Sequence, residues 1–175
     1  MRARDKVKTA AEVAGICRLL RGERTVRVVF TNGCFDLLHL GHLRYLEEAR
    51  ALGDLLVVGV NSDSSVREIK GALRPIQGED ERSELLAGLH CVDYTIIFDT
   101  PDPLTLIELI QPDVLVKGAD WPEDQIVGAE VVKKMGGRVA RIALTPRRST
   151  TSIVERVIER YGGGARGRSR GVAED

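Results

Sequence analysis

Apolar positions along the chain follow two different periods. Short runs rich in β-branched residues, at 27–31, 55–61, 94–98, 114–116 and 138–142, predict strands. The first two are almost continuously apolar (Val28-Val29-Phe30 and Leu55-Leu56-Val57-Val58), as central strands covered on both faces must be. Helical spacing fills the intervals. Thr9-Ala10-Ala11-Glu12 reads as a capping box ahead of Val13, Ile16, Cys17 and Leu20, and predicts a helix over 9–21 packed on the domain. A second helix is expected from about Gly41 to Leu52, a third across 80–89, and a fourth after Pro103. The last starts near Thr151 or Ser152, with Ser152-x-x-Glu155 as its box and Ile153, Val154, Val157, Ile158 and Tyr161 as its buried stripe. Strands alternating with helices predict an α/β fold: a Rossmann-like, doubly wound, five-stranded parallel sheet with helices on both faces.

The 175 residues fit one domain, 1–161, followed by a disordered Gly/Arg tail, 162–175. Lys plus Arg and Asp plus Glu both number 26, so no net field points to nucleic acid. The longest apolar run, 55–60, is far short of the roughly 20 residues that cross a bilayer, and no signal peptide is evident. A cytoplasmic protein without membrane or nucleic-acid partners is expected. Cys17, Cys34 and Cys91 show no Cys-x-x-Cys spacing and read as reduced thiols, with no structural metal site.

The chemistry concentrates where the first predicted strand runs into a helix, in Thr31-Asn32-Gly33-Cys34-Phe35-Asp36-Leu37-Leu38-His39-Leu40-Gly41-His42. Such junctions present free N–H groups to phosphate. His39 and His42 share one face of the first helical turn, and Gly41 permits close approach of a ligand or backbone. The pair suits either phosphate binding or a metal site with Cys34 or Asp36; Asp36 itself reads as an ordering group or as a turn residue. Neither the Gly-x-Gly-x-x-Gly nor the P-loop pattern occurs.

This His-x-Gly-His segment resembles the signature of the nucleotidyltransferase superfamily of cytidylyltransferases and class I aminoacyl-tRNA synthetases. With Val58-Gly59-Val60-Asn61-Ser62-Asp63 it is similar, more narrowly, to the heptose 1-phosphate adenylyltransferase domain of ADP-heptose synthases. The likeness runs on through Lys70-Gly71, Arg74-Pro75-Ile76, Cys91-Val92-Asp93-Tyr94, 112–118 and Arg148-Ser149-Thr150-Thr151.

The resemblance implies a stand-alone transferase that moves AMP from ATP to heptose 1-phosphate, releasing pyrophosphate, for lipopolysaccharide core or another heptose glycan. A separate kinase and phosphatase would complete the pathway. It implies His39, His42, Lys70 and Arg82 as catalytic, with Lys70 on a mobile loop and Arg82 meeting the acceptor phosphate. It implies nucleotide contacts at Thr31, Asn32, Gly33, Cys34, Phe35, Asp36, Gly41, Lys117, Gly118, Asp120, Ser149, Thr150 and Thr151, and acceptor contacts at Arg74. Asp63 reads as an N-cap or a sugar contact, and Trp121 as packing on base or sugar or as covering the core. Related glycerol-phosphate enzymes carry Gly-Asp-Asp-Trp where this chain has Gly118-Ala119-Asp120-Trp121, and a longer Arg-Thr-x-Gly near Arg147 and Arg148. Mg²⁺ is implied by the triphosphate and by no ligand set. The alternatives are a cytidylyltransferase for glycerol 3-phosphate or an amino-alcohol phosphate, and a non-catalytic nucleotide-binding module. The 9–21 helix is a candidate homodimer contact.

Overall fold

A computed structural model describes residues 1–23, 25–143, 145–146 and 148–162. The expected disordered tail, from 163 onward, and Arg147 lie outside the described residues. The elements are α1 (Ala10–Glu23), β1 (Val28–Gly33), α2 (Leu40–Arg50), β2 (Leu55–Asn61), α3 (Asp63–Lys70), α4 (Glu79–Gly88), β3 (Tyr94–Phe98), α5 (Leu104–Ile110), β4 (Val114–Gly118), α6 (Ala129–Lys134), β5 (Arg138–Ile142) and α7 (Thr150–Tyr161). All strands are parallel, in the order β3-β2-β1-β4-β5. The order reverses between β1 and β4, so the switch-point crevice opens above their carboxyl ends.

Each face of the sheet has its own core. Phe30, Val57, Ile96 and Leu115 pack under α1, α5 and α6, with Val13, Cys17, Ile107 and Val132. Val29, Leu56, Val58 and Val116 pack with Tyr45, Leu46 and Ala49 of α2 and Leu86 of α4. The Thr9 box forms as expected, the Glu12 carboxylate accepting from the Thr9 N–H and hydroxyl, each at 2.8 Å. The apolar stripe of α1 packs on the core against α5, with Val13 and Cys17 buried, while Leu19 stays exposed.

Two aspartates hold the strand register from the opposite end of the sheet. Asp113, just before β4, accepts from the Val28 N–H at 2.7 Å and from Arg21 at 3.1 Å. Asp93, just before β3, accepts from the Leu56 N–H at 2.8 Å and pairs with Arg50 at 3.0 Å. Each supplies the acceptor for a backbone N–H at the start of a neighbouring strand, where the ladder offers no carbonyl.

Several expectations change. β1 and β4 run further than predicted, which places Asn32, Gly33, Lys117 and Gly118 on strand ends rather than in loops. Two further helices, α3 and α6, lie outside the predicted ones; at eight and six residues they are too short to repeat an apolar period. Ser149, not Ser152, caps α7: its Oγ accepts from the Ser152 N–H at 3.1 Å. The supposed buried stripe of α7 is open, since every residue from 155 to 161 is exposed. Among the described residues no helix is long and apolar enough to cross a membrane.

Candidate functional site

The crevice above β1 and β4 encloses about 750 Å³, a size typical of small-molecule sites. One wall is the N-terminus of α2 with the α7 turn; the other is built from the loops after β3 and β4.

His39 is the N-cap of α2, its backbone extended and its Nδ1 accepting from the His42 N–H at 3.3 Å. That bond keeps the His39 hydrogen on Nε2. The two imidazoles stack, centroids 3.7 Å apart and planes 15° from parallel, and Phe35 meets His42 edge-on at 5.2 Å. Burial, reinforced by His39, drives the His42 pKa down to about 4. Burial also lowers that of His39, and Arg148 adds to the effect. Both are therefore neutral near pH 7. Nδ1 of His42 is the one buried side-chain nitrogen or oxygen without a partner among the described residues, a costly atom to leave unpaired unless a ligand or water engages it.

Gly41 explains itself by close approach: a Cβ there would lie 3.0 Å from the His39 ring and 3.2 Å from Cβ of Arg148. The absent side chain lets the α2 N-terminus and the β5–α7 loop meet, so two positive helix ends converge on one place. Ser149, Thr150, Thr151 and Arg148 line the crevice there.

The β1–α2 loop carries Phe35 in a left-handed conformation, φ 46°. Local strain of this kind persists only where neighbours over-determine it. Here Gly33 is in contact range of the Phe35 ring, whose edge would sit 3.1 Å from a Cβ. Asp36 is buried and accepts from Arg74 Nη1 at 2.7 Å and from the N–H groups of Ile76 and Gln77 at 2.7 and 3.1 Å. Burial alone would raise its pKa, but these bonds prevail and hold the carboxyl below the usual range. Asp36 thus orders the 71–78 loop.

Across the switch point, the Lys117 ammonium donates to Oδ1 of Asn32, linking the ends of β4 and β1. Burial lowers the Lys117 pKa to about 8. Burial likewise raises that of the Cys34 thiol, against the nearby Lys70. Cys34 is therefore held as a neutral group in the wall.

The structure gathers His39, His42, Gly41, Asn32, Gly33, Cys34, Phe35, Asp36, Lys70, Arg74, Lys117, Gly118, Asp120, Trp121, Ser149, Thr150 and Thr151 around one crevice. Lys70 ends α3 rather than riding a loop, and Trp121, 51% exposed, leaves the core uncovered by its ring. Three expected residues are not on its surface. Thr31 is buried, its hydroxyl 2.7 Å from that of Tyr45. Asp63 does not cap α3, since Ser62 does, and its carboxylate pairs with Arg82 at 2.7 Å. Arg82 is fully buried and bonded on all three guanidinium nitrogens, which leaves it no face for an acceptor phosphate. Sequence reasoning also missed the opposite wall, Pro101, Asp102, Pro103, Gln125, Ile126 and Val127, which no motif signals. Among the described residues no three His, Cys, Asp or Glu side chains gather to hold a metal.

A five-stranded parallel sheet with two helix N-termini and flanking cations at its switch point defines a nucleotide-binding α/β domain. A family model described as cytidylyltransferase-like matches residues 30–156, and the chain belongs to this family of nucleotidyltransferases. Among its relatives, the bifunctional protein HldE of Geobacter sulfurreducens is 52% identical over 90% of this chain and 32% of that protein. HldE of Syntrophotalea carbinolica is 49% identical over 92% and 31%. The chain therefore spans about a third of the length of these curated relatives. The crystal structure of a lipopolysaccharide core biosynthesis protein from Thermoplasma volcanium superposes with a TM-score of 0.61 at 34% identity, covering 69% of this chain and 99% of that one. A pantoate-β-alanine ligase from Francisella tularensis, 14% identical, shares the fold with a TM-score of 0.58, over 83% and 68%.

Proposed function

We propose that the chain transfers the adenylyl group of ATP to D-glycero-D-manno-heptose 1-phosphate, forming ADP-heptose and pyrophosphate. The observation that carries the transfer chemistry is the meeting of neutral His39 and His42 at the α2 N-terminus with the Ser149–Thr151 turn. The heptose substrate is supported by the motif resemblance and by the bifunctional HldE and lipopolysaccharide core relatives.

A phosphate oxygen of the acceptor, already anionic, attacks the α-phosphorus; the bond to the β-phosphate oxygen breaks and pyrophosphate leaves. No protein nucleophile is needed, so the chain works by positioning and by charge neutralisation. Nε2–H of His39 and the His42 ring donate to oxygens that gain charge in the transition state, and their neutrality keeps them from competing with one another. The α7 N-terminus, with Ser149, Thr150 and Thr151, holds the leaving phosphates, with Arg148 beside it. Lys117, Asn32, Gly118, Asp120 and Trp121 bound the nucleoside side; Lys70 and Arg74 serve the acceptor phosphate. Mg²⁺ held by the triphosphate oxygens would add charge neutralisation to that of the chain's own groups. The kinase and phosphatase steps that make the heptose 1-phosphate are distinct chemistry from this crevice, and the reaction belongs to the cytoplasmic assembly of a heptose-containing glycan.

The test crosses ATP, CTP and GTP with heptose 1-phosphate and glycerol 3-phosphate in the presence of Mg²⁺ and measures pyrophosphate. Release with ATP and the heptose phosphate alone is expected. Release with CTP and glycerol 3-phosphate instead would move the substrate and overturn the proposal.

A further inference from the structure

Among the described residues, the one arginine whose side chain is entirely shut away from solvent, Arg82, ties together the segment that carries two of the cations of the crevice. Its Nη2 donates to the Asn61 carbonyl at 2.8 Å and to the Asp63 carboxylate at 2.7 Å, where α3 begins. Its Nε donates to the Gln77 carbonyl at 2.9 Å, where the loop after α3 ends. Its Nη1 donates to the Cys34 carbonyl in the β1–α2 loop. The stretch 61–77 therefore leaves and returns to one guanidinium, with Lys70 and Arg74 between the two anchor points. The third anchor, Cys34, lies five residues before His39 on the opposite wall. Four acceptors from three segments match the planar fork of a guanidinium and exceed what an ammonium can reach in one plane.

We infer that Arg82 is a positioning residue that fixes Lys70 and Arg74 against the histidine wall, so that the acceptor phosphate and the α-phosphorus are presented at a set separation. This rests on the role proposed for Lys70. Arg82 acts through other groups and touches no substrate. Its placement inside the domain, rather than on the crevice surface, allows the α3 end and the 71–78 loop to be exposed to solvent yet held at both ends.

A double-mutant cycle between Arg82→Lys and Lys70→Ala tests the inference, with urea unfolding measured on the same proteins. Arg82→Lys is expected to lower kcat for adenylyl transfer by about tenfold or more in the wild-type background, and by less than about threefold once Lys70 is alanine. The loss of stability should be the same in both backgrounds, because the bonds to Cys34, Asn61, Asp63 and Gln77 do not involve Lys70. Should Arg82→Lys fold poorly, Asp63→Ala removes one anchor and is expected to show the same non-additivity. Equal fold losses of kcat in both backgrounds would overturn the inference, since a purely structural arginine gives that result. Lys70→Ala with full turnover would refute the role of Lys70 and this inference with it, while leaving the transfer reaction itself intact and measurable.

Discussion

His39 and His42 lie face to face, centroids 3.7 Å apart, at the first turn of α2. Two imidazolium rings at that separation would repel strongly, and burial already disfavours the first proton. The helix N-terminus adds its own positive end to the same spot. Three effects thus agree in keeping the pair neutral, which suits donors that must approach phosphate without exchanging protons with it.

The pair should be visible in the pH dependence of stability. The folded His42 pKa, about 4, lies below the ordinary 6.5, so between these values the unfolded chain binds the proton more readily. Stability contributed by the neutral ring is complete above pH 6.5 and is lost as pH falls toward 4, by up to roughly 1.4 kcal/mol per pH unit. Urea midpoints from pH 7.5 to 4.5 should show this slope, and His42→Asn should flatten it. A wild-type midpoint that stays level across the window would refute the assignment.

Lys117 predicts a limit at the alkaline side. Its pKa is lowered from 10.5 to about 8 by burial, so the free protein loses this charge as pH passes 8. The KM for ATP should rise about tenfold per unit above that pH while Lys117 must be reprotonated to bind the nucleotide. Lys117→Gln should bind weakly at pH 7 and lose the alkaline dependence; a pH-independent KM in the wild type between 7 and 9.5 would contradict it. The stability effect has the opposite sense. The folded state penalises the charged ammonium below pH 8, so stability increases as pH rises from about 8 toward 10.5.

Asp36 is expected to act as a latch. Its carboxylate holds Arg74 and two backbone N–H groups of the 71–78 loop. Asp36→Ala leaves all three without that acceptor. Amide exchange at Ile76 and Gln77 should accelerate by about tenfold or more, the scale of one lost charge-assisted bond. The KM for heptose 1-phosphate should rise with it, and that for ATP should change less. Unaltered exchange at both amides would show the loop to be held by other contacts.

Much of this architecture is legible in the chain because local and tertiary signals coincide. Thr9 and Glu12 announce the start of α1, and the alternation of apolar runs gives the sheet. The segment from Asn32 to His42 reads as an anion site because its chemistry is local. What could not be read depends on distance in sequence. Arg82 resembles any helical surface arginine until Cys34, Asn61 and Gln77 bring their carbonyls to it. Asp93 and Asp113 look like turn residues, yet each serves a backbone donor of a strand far away in the chain. The stripe on α7 has the right period for burial, but nothing among the described residues covers Val157, Ile158 and Tyr161, which are 52%, 63% and 76% exposed. Periodicity identifies an apolar face and not the surface that meets it.

The proposal that the stacked histidines accelerate adenylyl transfer is tested by comparing pyrophosphate release from ATP and heptose 1-phosphate by the wild type and by His42→Ala, with ATP binding followed in parallel. Release matched one-to-one by ADP-heptose is expected in the wild type, and turnover at least about 100-fold lower in the variant, with ATP still bound. Equal turnover in the two proteins, or bound ATP without pyrophosphate release from the wild type, would contradict it.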